Sequence, residues 1–423
     1  VFKFNLEKCY MEIGVSHCCV WYLLAILICS LQLSSSKNEN PAKRNVIKGL
    51  VTKPFLRDAG GHLMKENQYD GTAFVYSELK IFHKLIYLHN FGSGWIYHYL
   101  ETILGLREDG QPNINFLWDF NDIVNEMNAR QKFGNVYYDS WTYTLADQVF
   151  VSDCGCEVKL NFTLAASSLL SKINEDYKYY CETNSPYLVH SLHPDTKFLV
   201  LNYLKVKPAV FGPIRFLSSG KKFTDLDGKE QSVTWVRMPG VFQIGVKFRQ
   251  RGESKSVCRS LLLYRSEISD GTLSMLYFRP VFSKCDGLTS KTECFEDIFY
   301  NLREYINLAI TMSNHSRHKV WSANTLAVPV MDFNTDTDLK PVLQRDMGFL
   351  FIDSEFMRLY KKLAVTLNEF RTGEYFDNKP EIQSPVSDPE TEEYLKSPFL
   401  FALVEKETNI ILKTGAFLRP GQN

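Results

Sequence analysis

Residues 396–420 read KSPFLFALVEKETNIILKTGAFLRP, and this stretch decides the fold of the chain. Residues 399–404 form a continuous apolar run, residues 405–409 are charged and turn-prone, and residues 410–412 and 416–418 are apolar again. Short apolar runs that are bounded by turn residues are typical of strands buried on both faces. The stretch therefore predicts two buried strands around a polar turn.

The overall composition is that of an ordinary globular protein. A chain of 423 residues suffices for one large domain or for two or three small ones. The 48 Lys and Arg residues balance the 48 Asp and Glu residues, so the net charge is zero. This balance gives no reason to expect nucleic acid or an anionic membrane surface as a partner.

The first residues predict a secretion signal. Residues 18–31 form an apolar run that is too short for a confident transmembrane helix and suits a signal-peptide core. We assign residues 1–36 to a signal-peptide region with Met11 as the expected start, residues 37–70 to a polar linker and residues 71–423 to one domain. The mature protein would then be extracellular and without a membrane span; the alternative is an uncleaved segment that anchors the chain.

Removal of that region leaves six cysteines, an even number that permits disulfides in a secreted chain without fixing their pairing. Cys285 and Cys294 flank a short polar loop and could pair; buried or free thiols are the alternative. Asn161 and Asn314 each begin a glycosylation sequon and are possible glycan sites in a secreted protein.

Hydrophobic periodicity predicts helices early in the chain and strands later, which is an α+β arrangement. The predicted helices cover residues 74–88, 96–106, 116–127, 295–312 and 338–347. The predicted strands cover residues 143–151, 198–206, 261–264, 273–278, 326–333 and 362–367, with a hairpin turn at residues 226–229. We find no nucleophile elbow, phosphate loop or standard zinc spacing, so we expect no enzyme, cofactor or metal.

Six segments resemble signatures of the serpin family of serine protease inhibitors, in the right order between residues 74 and 420. They are YTLADQVFV at 143–151, LVLNYLK at 199–205, Phe223 with Asp227-Gly228, LSML at 273–276 with Pro280, Val328-Pro329 with Asp338-Leu339, and the tail at 396–420. The resemblance implies a single domain with three β-sheets, a helical side and an exposed reactive-centre loop. After cleavage by a protease, such a loop inserts into the central sheet as a new strand.

The resemblance places the reactive-centre loop at about residues 369–393. Residues 379–393, KPEIQSPVSDPETEE, are rich in proline and acids and cannot build a core, so we expect them to be exposed. The scissile bond is expected near Pro385, Val386 or Ser387. The implied hinge of the loop consists of Glu369, Phe370, Arg371, Thr372, Gly373, Glu374, Tyr375 and Phe376.

The hinge departs from the pattern of inhibitory serpins, which is glycine, threonine and glutamate followed by alanines. Arg371 takes the glycine position, and large or charged residues replace the alanines. To bury an unpaired charge on insertion would cost on the order of several kcal/mol. Pro380 and Pro385 also lack the N–H that a central strand donates.

Two functions follow from these residues. The first is a secreted, monomeric inhibitor of a serine or cysteine protease that acts through the loop. The alternative is a non-inhibitory serpin that serves as a binding or structural protein, because its hinge is poorly suited to insertion.

Overall fold

The computed structural model describes part of the chain, and the account below is limited to that part. The described residues are 73–91, 100–101, 104, 107–108, 111–112, 116–130, 136–144, 158–159, 168, 170–171, 174–175, 198–206, 215–239, 241–247, 260–268, 272–282, 287–311, 320–322, 325–338, 371–379, 386–387 and 393–420.

Several expectations lie outside the described residues and stay predictions. They are the signal-peptide region 1–36 with Met11, the linker 37–70, the sequons at Asn161 and Asn314, Cys285, Glu369, Phe370, Pro385, the helix at 338–347 and the strand at 362–367.

Four helices and twenty-one strands have defined bounds in the described part. The helices are α1 (Glu78–Phe91), α2 (Phe116–Arg130), α3 (Gly287–Tyr300) and α4 (Leu302–Thr311). The strands are β1 (Ala73–Tyr76), β2 (Arg107–Glu108), β3 (Gln111–Pro112), β4 (Val136–Thr144), β5 (Val158–Lys159), β6 (Phe198–Val206), β7 (Arg215–Ser218), β8 (Lys222–Thr224), β9 (Glu230–Ser232), β10 (Trp235–Pro239), β11 (Val241–Lys247), β12 (Ser260–Ile268), β13 (Leu273–Pro280), β14 (Val320–Ser322), β15 (Thr325–Pro329), β16 (Asp332–Asp338), β17 (Arg371–Asp377), β18 (Val386–Ser387), β19 (Glu393–Tyr394), β20 (Phe399–Glu405) and β21 (Ile410–Phe417).

A seven-stranded sheet forms the centre of the core, in the order β1-β21-β20-β13-β12-β11-β14. Every residue of β20 and β21 is buried, which confirms the two buried strands predicted from the tail. The polar turn between them ends at Asn409, whose φ of 57° is the left-handed conformation that asparagine tolerates.

The final strand runs without a break from Ile410 to Phe417, through the polar residues Lys413 and Thr414. Gly415 makes this possible: a Cβ atom there would lie 2.3 Å from the carbonyl oxygen of Phe74 and 2.5 Å from Cζ of Phe401. Because Gly415 has no side chain, the neighbouring strands can approach it closely. The polar residues before it therefore remain part of the paired strand.

A five-stranded sheet has the order β18-β7-β10-β15-β19. The predicted hairpin beside it is confirmed as β8 and β9, with Gly228 at a φ of 88° in the turn. Phe223 of β8 packs edge-on against Phe417 of β21, with ring centroids 5.2 Å apart. Arg419 also forks onto Asp227 through two hydrogen bonds of 3.0 Å, so the hairpin is tied to the end of the seven-stranded sheet.

Three smaller groups of strands complete the described β-structure around the helices. They are the antiparallel pair β16 and β17, the sheet β5-β4-β6 and the short pair β2 and β3. Helix α3 packs on β1 through Phe299 and Phe74, with ring centroids 6.0 Å apart, and α1 packs on α2 through Phe82 and Phe120 at 5.9 Å. Strands packed with a helical side confirm the α+β class.

Three predicted boundaries were wrong. Phe74 lies in strand β1, opposite Ala416, and the helix begins only at Glu78 after the Ser77 hydroxyl accepts a hydrogen bond from the N–H of Lys80. The predicted helix at 295–312 is two helices that meet at Asn301. The predicted strand at 326–333 is likewise two strands, β15 and β16, because residues 330–331 turn the chain from one sheet to another.

Candidate functional site: the loop at residues 379–392 and its anchors

The chain enters the loop through a paired strand. All seven residues of β17 pair with β16 in antiparallel register, from Arg371 opposite Asp338 to Asp377 opposite Asp332. The loop was expected to begin near Glu369, whereas Arg371, Thr372, Gly373, Glu374, Tyr375 and Phe376 all lie in this strand. Pairing with β16 satisfies the backbone hydrogen-bonding groups of β17. The amino-acid composition of a segment does not reveal such a partner, so it could not predict this strand. Whether these residues also act as a hinge stays a prediction.

Phe376 fixes this strand to the core. Its side chain is 3% exposed, and its ring centroid lies 4.7 Å from that of Phe401 in the middle of β20. A buried phenylalanine of this kind contributes a few kcal/mol to stability, roughly 3–5 kcal/mol by comparison with alanine. Phe376 is therefore already part of the core, and its burial needs no insertion of the loop.

Asn378 closes the strand and is 1% exposed. Its backbone N–H donates to the carbonyl oxygen of Met331 (3.1 Å), and the N–H of Met331 donates back to Oδ1 of Asn378 (2.7 Å). Nδ2 of Asn378 donates to the carbonyl oxygen of Pro329 (3.1 Å). The next residue, Lys379, forms an ion pair with Asp332 at the surface. We call the three hydrogen bonds of Asn378 the Asn378 clasp; the loop begins directly after this residue.

Tyr394 anchors the other end of the loop. It is 4% exposed, and its ring meets the Trp235 ring edge-on with centroids 5.0 Å apart. The Lys221 ammonium lies 4.1 Å from the Tyr394 ring centroid, within the range of a cation–π contact. The chain is held further by Leu395 N–H, which donates to Ala327 O (2.9 Å), and by Lys396 O, which accepts from Thr224 N–H (2.7 Å).

Glu393 ties the same end to the seven-stranded sheet. The hydroxyl of Tyr264 donates to its Oε1 at 2.5 Å, and Arg279 forms an ion pair with it at 3.5 Å. Burial raises the pKa of Tyr264 far above its ordinary value, and Glu393 adds to that rise. The tyrosine hydroxyl therefore keeps its proton and remains a hydrogen-bond donor to the carboxylate.

The middle of the loop touches the five-stranded sheet through β18. Val386 and Ser387, two of the predicted scissile residues, pair in parallel with Leu217 and Ser218 of β7. Strand β18 lies at one edge of this sheet and β19 at the other, so their positions are four strand spacings apart, or about 19 Å. The six residue steps from Ser387 to Glu393 can span at most about 20–22 Å.

Cys294 is fully buried in α3 and is disulfide-bonded. Its partner lies outside the described residues, so the pairing with Cys285 stays a prediction. In the described part of the chain there is no group of three or more residues that could hold a metal ion. The described helices include none that is both long and apolar enough to cross a membrane.

Sequence reasoning missed the two anchors. Asn378 stands two residues before Pro380, and a single asparagine there is no more than an ordinary turn signal. Tyr394 was passed over because an aromatic residue among acids gives no periodic pattern. One signal could have identified both residues: Asn378 and Tyr394 flank the run of loop-forming residues, one on each side.

No protein-family model matches the sequence, and no curated protein matches it either. Solved structures do match. The mouse protein-Z dependent protease inhibitor has a TM-score of 0.59 at 16% identity, over 90% of this chain and 100% of that one. Maspin has 0.63 at 14% identity, over 90% and 100%, and uncleaved ovalbumin has 0.61 at 15% identity, over 88% and 99%.

These three proteins are serpins, and the likeness extends over almost the whole of each chain. At such low identity it shows the fold alone. This chain therefore has the serpin fold, as the resemblance of its segments predicted. The similar structures include a protease inhibitor and ovalbumin alike, so the function has to be argued from the loop.

Proposed function

We propose that this protein is a secreted, monomeric serpin-fold protein that offers residues 379–392 to a serine-type endopeptidase and binds it without trapping it by loop insertion. The observation that carries the proposal is the Asn378 clasp, because it sets where the loop can begin to move. Secretion is supported by the apolar run at residues 18–31 and by the disulfide of Cys294, since disulfides persist mainly in oxidising compartments.

The distance that a cleaved loop could travel supports binding over trapping. Cleavage after Val386 would leave only residues 379–386 free beyond the clasp. A turn of at least two residues is needed to reverse the chain, which leaves about six residues and about 20 Å of new strand. Strand β17, beside which the segment would have to insert, has seven residues and spans about 23 Å, so the segment could not pair along the whole of it.

The residues of that free segment are also poor strand formers. Pro380 and Pro385 supply no N–H to a neighbouring strand, and Glu381 would lose its hydration in a packed sheet. The residues of β17 present no such obstacle, because they are paired with β16 before any cleavage. The difficulty lies in residues 379–386 rather than in residues 371–376.

A second candidate function is covalent inhibition of a serine protease by insertion. It is favoured by the serpin fold and by the pairing of β17, which within the described residues is with β16 alone. That arrangement leaves room in the described part for one more strand beside β17. The two candidates predict different products from the same reaction.

The test is to incubate the purified mature chain with trypsin-, chymotrypsin- and elastase-like proteases and to separate the products on a denaturing gel. We expect cleavage within residues 379–392, no protease adduct that survives denaturation, and a rise in melting temperature of less than about 4 °C after cleavage, which for a chain of this length corresponds to roughly 3–4 kcal/mol. Each protease with its active-site serine blocked is the control. A stable one-to-one adduct would overturn the proposal in favour of inhibition.

A further inference from the structure

We infer that the endopeptidase which recognises this loop has a small, elastase-like specificity pocket, and that it cleaves between Val386 and Ser387. The inference rests on the proposed function, because it names the partner class of the same loop. It follows from the chemistry of residues 379–392 and from the position of β18.

The side chains of the loop exclude the two other common pocket types. A trypsin-like pocket needs Lys or Arg, and the only basic residue at 379–392 is Lys379, which is followed by Pro380 and ion-paired with Asp332 beside the clasp. A chymotrypsin-like pocket needs a large aromatic side chain, and residues 379–392 contain none. A small apolar pocket remains, and it fits a short aliphatic side chain.

Two aliphatic residues are candidates for that pocket, Ile382 and Val386. Isoleucine is one methylene larger than valine, and one methylene in a pocket of fixed size is worth roughly 10–200-fold in rate. A pocket sized for valine would favour the bond after Val386, and one sized for isoleucine the bond after Ile382. Neither bond has a proline on either side of it, so the choice of the Val386–Ser387 bond rests on the backbone geometry.

The backbone geometry favours the Val386–Ser387 bond. Val386 and Ser387 have extended backbone in β18, which is the conformation in which a peptide adds to the edge of another sheet. Strand β18 pairs with β7 on one side and is the edge strand of its sheet in the described part of the molecule. Its other side can thus accept the backbone hydrogen bonds of a protease cleft while the first side keeps the segment extended.

The chemical step uses only the protease and water. The protease serine oxygen attacks the carbonyl carbon of Val386, the bond from that carbon to the nitrogen of Ser387 breaks, and the Ser387 amine leaves with a proton from the protease histidine. Water then hydrolyses the ester, which gives a carboxylate at Val386 and restores the protease serine.

The experiment compares the wild-type chain with Val386→Lys and with the matched variant Ile382→Lys, each treated with an elastase-like protease and with trypsin. The new N-termini are identified by mass spectrometry. We expect the elastase-like protease to produce a fragment that begins at Ser387 in the wild-type chain, and to lose at least about tenfold in rate at that bond in Val386→Lys. We expect trypsin to gain cleavage after position 386 in Val386→Lys, at least about tenfold faster than after position 382 in Ile382→Lys.

The inference is overturned if the elastase-like protease cleaves after Ile382 or elsewhere in the loop, or if trypsin cleaves the two variants equally fast. Either result would mean that the protease recognises the loop but cleaves it at a different bond. If no protease cleaves residues 379–392 in the wild-type chain or in either variant, the proposed function itself fails.

Discussion

Asn378 and Met331 exchange two hydrogen bonds, one from the Asn378 backbone N–H to Met331 O (3.1 Å) and one from the Met331 N–H to Oδ1 of Asn378 (2.7 Å). The pair joins the last residue before the loop to the junction of β15 and β16. All of these polar groups are buried with Asn378, which makes the exchange costly to break.

The substitution Asn378→Ala should lower the free energy of unfolding by about 2–4 kcal/mol. It removes the acceptor for Met331 N–H and the donor to Pro329 O, and an unsatisfied buried group costs about 1–3 kcal/mol. Urea denaturation measures the loss. The matched control is Lys379→Ala, which removes a surface ion pair and should change stability by less than about 1 kcal/mol. Equal effects of the two substitutions would contradict the clasp.

The substitution Phe376→Ala should cost about 3–5 kcal/mol, because it empties a buried site against Phe401. Phe376→Leu should cost clearly less, since it keeps most of the apolar volume. Both are measured by thermal and urea unfolding of the intact chain. A loss of under about 0.5 kcal/mol for alanine would mean that Phe376 behaves as an exposed loop residue.

Glycine is required at position 415 in β21 and dispensable at position 220, between β7 and β8. Gly415→Ala should destabilise the protein by about 1–3 kcal/mol or more, because its new Cβ would meet the Phe74 carbonyl oxygen, which cannot move aside without shifting β1. Gly220→Ala is the control: nothing lies within 4 Å of a Cβ there, so its effect should be close to zero. The comparison needs only the midpoints of two denaturation curves, and similar midpoints would refute it.

Stability should depend on pH through Glu78, which is buried and forms an ion pair with the partly exposed Arg303, with Nη2 and Oε2 3.5 Å apart. Burial raises the pKa of Glu78 above its ordinary 4.5, and Arg303 opposes that rise in part. The folded state thus holds this proton more tightly than the unfolded chain. The stabilisation from Glu78 is fully present below pH 4.5 and is lost as the pH rises through the raised folded pKa.

The variant Glu78→Gln cannot titrate at this position and isolates the effect. The free energy of unfolding of the wild-type chain, minus that of Glu78→Gln, should fall as the pH rises from about 4 to about 7. Denaturation curves at several pH values measure the difference. A difference that grows with pH would show that the Arg303 contact outweighs burial.

The sequence predicted the strands that carry long apolar runs, and it failed where pairing overrides composition. Residues 399–405 and 410–417 were predicted as strands because strands buried on both faces consist mainly of apolar residues. Strand β16, DFNTDTD, carries no such record and was only partly anticipated. Its pairing with β17 turned the start of the expected loop into a strand, and no local pattern in either segment encodes that contact between distant residues.

The site was predicted in outline for the same reason. The composition of residues 379–393 predicts where loop-forming residues are concentrated, because that property is local. The limits of the loop depend on partners far away in sequence, such as Met331 for Asn378 and Trp235 for Tyr394. These contacts exist only once the sheets have formed.

The order of strands in the seven-stranded sheet has a consequence for synthesis. Strands β20 and β21 lie between β1 and β13, yet they leave the ribosome after every other described strand of that sheet. Until then β1 has no partner and β13 has an open, apolar edge, a situation that favours aggregation of nascent chains. Folding of this protein should therefore finish only after translation has passed Phe417. A cell that makes it in quantity should need chaperones that bind the unpaired strands β1 and β13 until then.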